Sequence, residues 1–300
     1  MQSTHIPVLL HEVIEMFGCR PGMTMIDATT NGGGHAREII KRIFPGGMFI
    51  GIDWDKGIIA QTEKQIRAEF SSYDQSRLKF VWSNYADISH ICEKEKITSV
   101  DGILADLGFS SLQIETAERG MSFLREGPLD MRYDTSSRSP AYEIVNSFSK
   151  EALADIIYTY GEEHYARSIA EMIVAERKKE RIYTTRQLAE LIERMVPQYK
   201  RGGIHPATRT FQALRIYVNG EFENIQKLLT DAPRVLAPQG RLGIITFHSL
   251  EDRRVKQGFK ELADQGIGTI TTKRPLIPKD EEIQKNPRAR SAKLRVFEKI

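Results

Sequence analysis

The chain has 300 residues, 40% hydrophobic and 28% charged, a composition that excludes a wholly disordered chain and a disulfide-stapled miniprotein. Lys plus Arg number 43 against 40 Asp plus Glu, so net charge (+3) does not by itself mark a nucleic-acid binder. The two cysteines, Cys19 and Cys92, form no CxxC and no Cys/His cluster, which argues against a disulfide framework and a structural zinc site.

The first residues, Met1-Gln2-Ser3-Thr4-His5, lack the basic and apolar regions of a secretory signal. No apolar run approaches the roughly 18 residues of a membrane span. The expectation is a cytoplasmic, soluble protein.

In chain order, residues 24–28 form a short apolar run with an acid, Asp27, near its end. Three glycines follow, then helical spacing over 38–43. Residues 48–52 form a second buried-type strand ending at Asp53, and 56–70 carry Ile58, Ile59, Ile66 and Phe70 on a helical stripe. Residues 78–81 and 100–104 are further strand candidates, the latter running to Asp106. Strand–helix alternation with short connections predicts a parallel sheet covered by helices. Ligands of such sheets lie beyond the carboxyl ends of the strands, so Asp27, Asp53 and Asp106 fall on one rim.

The alternation stops after Ser110. Helical periodicity over 149–160, 162–179 and 184–195 predicts a helical insertion at 111–205. A sheet domain split into 1–110 and 206–300 would flank it. Strand-type sequence resumes at 241–247, a helix follows at 251–263, and 268–272 and 294–298 are the final strand candidates. Residues 275–287 read as a loop between them, and no internal repeat is present.

The loop Asp27-Ala28-Thr29-Thr30-Asn31-Gly32-Gly33-Gly34-His35 joins strand to helix, where a helix N-terminus offers N–H donors to an anion. Asp53, about a strand and a helix later, suits the hydroxyls of an adenosine ribose. The spaced G-x-G-x-x-G of a dinucleotide site is absent. S-adenosylmethionine, whose anionic group is one carboxylate, fits better. Tyr85 stands where it reaches adenine or serves as a packing tyrosine. Residues 106–113, 118–123 and 127–132, dense in Gly, Ser, Asp and Arg, read as functional loops. Phe247-His248-Ser249-Leu250-Glu251-Asp252 leaves the fifth strand, where His248 borders the groove or caps a helix.

Together with His5-Ile6-Pro7-Val8-Leu9-Leu10-His11-Glu12, Tyr160-Gly161-Glu162-Glu163, residues 205–216 (HPATRTFQALRI) and Asn286-Pro287-Arg288-Ala289-Arg290-Ser291, these blocks resemble, in order and nearly end to end, the ribosomal small subunit methyltransferase H family, also called MraW. The resemblance implies a class I (Rossmann-like), S-adenosylmethionine-dependent methyltransferase sheet with an inserted all-helical domain. The implied reaction methylates N4 of a cytidine in the decoding region of 16S ribosomal RNA, and the implied partner is that RNA within the small ribosomal subunit. The family's cofactor contacts map onto Gly33, Gly34, His35, Asp53, Tyr85, Asp106 and Gln113. This chain departs from the family in Thr30-Asn31 for Leu-Gly, Leu112 for Pro and Met121 for Phe.

An amine acceptor needs a proton acceptor and no metal. The acid-Pro-Pro-aromatic motif of many amino-methyltransferases is missing after the fourth strand. Asp106 or a backbone carbonyl beside it, with Ser110 and Ser111, is the expected acceptor, and His248 a second candidate. The target base must be splayed out to react, which is cheapest in single-stranded RNA. Arg209, Arg215, Arg288 and Arg290 are the expected phosphate contacts; Arg209 and Arg215, six apart on one helix, do not share a face. Rival readings are a methyltransferase on another amine, a non-catalytic RNA-binding assembly factor and, more remotely, a nicotinamide-dependent dehydrogenase. Oligomeric state stays open.

Overall fold

A computed structural model describes residues 7–108, 116–136, 138–195 and 205–300. The apolar runs become strands β1 (Thr24–Asp27), β2 (Met48–Asp53), β3 (Leu78–Trp82) and β4 (Val100–Asp106). Further along lie β5 (Leu236–Thr246), β6 (Gly268–Ile270) and β7 (Lys293–Lys299). They form one seven-stranded sheet in the order β3-β2-β1-β4-β5-β7-β6. β1 to β5 are parallel, and β7 runs antiparallel to both β5 and β6. The fold class is therefore the expected α/β. Its parallel strands are buried on both faces, as their near-continuous apolar runs require: Met25, Ile26, Phe49, Ile50, Ile103, Leu104, Ile244 and Ile245 are fully buried.

The chain divides into two compact units, Met1–Gly108 with Phe222–Ile300, and Phe109–Glu221. In the sheet unit, α1 (Leu10–Phe17), α2 (Gly34–Ile43), α3 (Lys56–Glu69) and α4 (Ile88–Lys94) lie between the first strands. On one face of the sheet, Val13 and Phe17 of α1, Ile39, Ile40 and Ile43 of α2 and Ile66 of α3 share a core with Met25, Phe49 and Leu104. Asp55 starts α3 by accepting from the N–H groups of Gly57 and Ile58, at 2.9 and 3.2 Å.

The helical unit holds α5 (Ala141–Ser147), α6 (Lys150–Gly161), α7 (Ala166–Glu176), α8 (Thr185–Met195) and α9 (Thr208–Asn219). It ends at Glu221, beyond the expected 205, because α9 packs on α6: a Cβ on Gly161 would lie 2.6 Å from the Arg209 carbonyl. The predicted helix over 162–179 starts late. Glu162 is left-handed (φ 49°) at the end of α6, and the Glu163 carboxylate accepts from the Tyr165 N–H before α7 begins.

The sheet unit resumes with α10 (Glu221–Val235), whose first residue belongs to the helical unit, and with α11 (Ser249–Asp264) after β5. The segment read as a loop over 275–287 contains a short helix, α12 (Asp280–Lys285), with acids in its first turn. Among the described residues no helix is long and apolar enough to cross a membrane.

Candidate cofactor site at the carboxyl ends of the strands

The strand order reverses direction between β1 and β4, the place where open α/β sheets bind ligands. Asp27 and Asp106 end those two strands, Asp53 ends β2, and all three are buried. The backbone holds them in place. The Asp106 N–H donates to the Thr29 hydroxyl at 2.6 Å, tying β4 to the loop after β1. Asp53 accepts from the Asn31 N–H with one carboxylate oxygen and from the Asp55 N–H with the other, each at 2.8 Å. Thr30 donates its hydroxyl to the carbonyls of Asp27 and Ile52, at 3.2 and 3.0 Å.

Burial and mutual repulsion raise two of these acids. Burial pushes Asp27 up to about 7, against the pull of the Thr29 N–H and with added repulsion from Asp53. Asp106 is raised well above the carboxylate range, first by burial, then by Asp27 and Glu251. One of its oxygens, Oδ1, is buried with no hydrogen-bond partner among the described residues. An unsatisfied buried acceptor costs about 1–3 kcal/mol, so this rim carries stored cost that a cationic, hydrogen-bonding ligand would relieve.

Gly33 and Gly34 shape the entrance to α2. Gly33 is left-handed (φ 75°), and a Cβ there would lie 2.8 Å from the Thr62 methyl. A Cβ on Gly34 would lie 2.9 Å from Pro7. Gly33 therefore demands glycine for packing and conformation, and Gly34 for packing. His35 is buried, its Nε2 at 2.9 Å from the Val8 carbonyl and its Nδ1 at 3.9 Å from Asp106 Oδ2. Tyr85 stands half-buried in the turn Tyr85–Asp87 after β3, at the same end of the sheet. Gln113, Ser110 and Ser111 lie outside the described residues.

The remaining expected residues separate. His248 is the N-cap of α11: its side chain accepts from the Glu251 N–H at 3.4 Å, and Glu251 accepts from the His248 N–H at 3.3 Å. The capping alternative thus describes its Nδ1. Its Nε2 is buried without a hydrogen bond, 3.1 Å from a Glu251 oxygen.

Arg215 requires correction. It is only 7% exposed, and its guanidinium grips the Glu221 carboxylate with two bonds of 2.8 Å, so it braces the helical unit and is withdrawn from any phosphate. Six residues along the same helix, Arg209 donates to the Glu162 carbonyl at 2.9 Å and is half-buried. Arg288 and Arg290 stand exposed on the turn Pro287–Ser291.

The segment 127–132, expected as a functional loop, is braced as well. Leu129 and Met131 are buried, Arg132 pairs with Asp130 at 2.7 Å, and Asn219 bonds the Met131 carbonyl at 2.8 Å. Sequence reasoning placed Asp27 on the rim without giving it a ligand role. Thr29 it passed over, because a hydroxyl that accepts from a backbone 77 positions away leaves no local pattern.

A parallel sheet with a reversed strand order, a helix N-terminus after β1 and acids ending β1, β2 and β4 define a doubly wound α/β protein with its ligand edge at the carboxyl ends of the strands. Comparison with known proteins gives the family. The MraW methylase family matches residues 2–300, and the chain belongs to it. It is 44% identical over 316 residues to the ribosomal RNA small subunit methyltransferase H of Clostridioides difficile, with all of both chains covered. The corresponding methyltransferase of Acetivibrio thermocellus is 43% identical, again over all of both chains. That of a Cyanothece species is 46% identical over 99% of this chain and 95% of its own. The methyl donor is S-adenosylmethionine, and the orphaned Asp106 oxygen among mutually repelling acids fits that cationic group.

Proposed function

We propose that this chain methylates the exocyclic N4 of one cytidine in the decoding region of 16S ribosomal RNA, in the cytoplasm, with the RNA carried by the small ribosomal subunit. Two things support the reading: the full-length relationship to small-subunit ribosomal RNA methyltransferases, and the unpartnered Asp106 Oδ1 at the end of β4. The second carries the chemistry.

S-adenosylmethionine supplies a sulfonium-activated methyl group to the amine by in-line displacement and needs no metal to do so. Asp53, oriented at both oxygens by backbone N–H groups, accepts from the ribose hydroxyls. The first turn of α2, entered through Gly33, Gly34 and His35, turns N–H groups toward a carboxylate. Tyr85 flanks the adenine, and Gln113, outside the described residues, is kept as a further cofactor contact.

The N4 lone pair is delocalised into the cytosine ring, so an acceptor for its N–H is needed to restore nucleophilicity. Asp106, ionised by a neighbouring cation, accepts that hydrogen bond and then the proton, with Ser110 and Ser111, outside the described residues, kept as further candidates for the acceptor. Positioning of this kind contributes up to roughly 7–11 kcal/mol. His248 is kept as a second, lesser acceptor. Arg288, Arg290 and Arg209 contact RNA phosphates; Arg215 does not.

The test incubates the protein with methyl-labelled S-adenosylmethionine and small subunits lacking the modification. Label on N4 of one cytidine is expected. Label on another atom gives the site to a different amine, and cofactor binding without label gives it to an assembly factor.

A further inference from the structure

His35 is held by something more distant than its own helix. The segment before α1 touches the site at two consecutive residues and Glu282 at the next. Pro7 lies on Gly34, the Val8 carbonyl accepts from His35 Nε2 at 2.9 Å, and the Leu9 N–H donates to Glu282 Oε1 at 2.8 Å. Glu282 belongs to α12, 273 positions along the chain.

Leu9 is fully buried and left-handed (φ 54°, ψ 32°), a conformation unfavourable for a bulky residue. Such a residue persists only where its surroundings over-determine it. Here they do: its N–H is held by Glu282, and its carbonyl receives the Val13 N–H at 2.9 Å in the first turn of α1.

The Val8 carbonyl and the Leu9 N–H belong to one planar peptide group and point in opposite directions. Glu282 grips one end of that plane and His35 the other. Orientation of the carbonyl is therefore decided by the carboxylate. A carbonyl only accepts, so His35 carries a proton on Nε2, and its Nδ1 lies on the side of Asp106, 3.9 Å away. A carboxylate bound to the N–H also polarises the peptide and strengthens its carbonyl as an acceptor.

We propose that Glu282 is a positioning residue for the cofactor site, orienting and polarising His35 through the Val8–Leu9 peptide. The inference rests on the cofactor reading of that site. It connects the exposed basic turn carrying Arg288 and Arg290, which directly follows α12, to the acid rim of the sheet.

The test compares Glu282→Ala, Glu282→Gln and, as a control on the same helix, the exposed Glu281→Ala. Two readouts are used: the Kd for S-adenosylmethionine by calorimetry, and the His35 ring-nitrogen chemical shifts by NMR without ligand. Glu282→Ala should weaken binding about tenfold and turn the Nε2–H tautomer into a mixture. Glu282→Gln, which keeps an acceptor oxygen, should recover most of both, and Glu281→Ala should match the wild type. Glu282→Asp, whose carboxylate is withdrawn by one methylene, replaces the alanine variant if that fails to fold. Wild-type affinity together with an unchanged tautomer in Glu282→Ala overturns the proposal. Failure of the unaltered protein to bind S-adenosylmethionine would instead overturn the cofactor reading, while the ring-nitrogen shifts would still decide the role of Glu282.

Discussion

The Asp106 N–H and the Thr29 hydroxyl, 2.6 Å apart, lock the carboxyl end of β4 to the loop leaving β1. That bond keeps Asp27 and Asp106 close enough to repel each other inside a buried rim. The rim is therefore built at a cost in stability, as expected of a site whose compensating charge arrives with the ligand.

Asp106→Asn separates that cost from the chemistry. The variant removes a buried carboxylate with an orphaned oxygen and keeps its shape. Its ligand-free melting temperature at pH 8 should exceed that of the wild type. Methyl transfer at saturating donor should fall by about 10²-fold or more, the range of a lost proton acceptor. Unchanged turnover would remove Asp106 from the mechanism.

The pH dependence has a definite sign. Asp27 is raised from 3.8 to about 7 in the folded chain, so its protonated form is favoured there. Its contribution to stability is full below 3.8 and is lost as pH rises through about 7. The ligand-free protein should lose melting temperature between pH 3.8 and about 7, the span between the unfolded and folded values of Asp27. A cationic ligand favours the ionised rim, so the Kd for S-adenosylmethionine should tighten over the same interval. Calorimetry in buffers of different ionisation heat should show proton release on binding. A flat profile, with no release, would mean that Asp27 does not sense the ligand.

One arginine should behave oppositely to two others. Arg215→Ala leaves the Glu221 carboxylate buried without its guanidinium and should destabilise the protein by about 3–5 kcal/mol in denaturant unfolding. Arg288→Ala and Arg290→Ala should leave stability unchanged. Each should reduce the slope of log affinity against log salt for single-stranded RNA by about 0.7. An unaltered slope would take either residue off the RNA.

Gly33→Ala places a side chain in left-handed backbone and 2.8 Å from the Thr62 methyl. The conformational part alone costs about 1–2 kcal/mol. Melting temperature should drop and cofactor affinity should weaken together, because the same loop carries Asn31 onto Asp53. Normal affinity in a destabilised variant would make Gly33 a packing residue only.

The parallel strands, their order along the chain and the acids that end them were legible because burial on both faces imposes apolar runs broken by a charge at the rim. Helix α8 was legible for the same local reason, through its periodicity and the threonines that begin it. What escaped were features of long-range partnership. Arg215 has the sequence appearance of a surface cation in an acid-free stretch, and only Glu221 at the other side of a turn converts it into a brace. α12 was hidden among prolines and charges.

The sequence by itself determined the α/β class, the family and the rim on which the acids stand, since each follows from local periodicity or from contiguous motifs. The tertiary structure decided which charges are available. It buried Arg215 against a carboxylate, left Asp106 with an unpaired oxygen, and brought Glu282 to the peptide that holds His35. The reason is physical: a side chain's exposure, partner and protonation depend on groups brought near it by folding, and a local pattern contains no record of them.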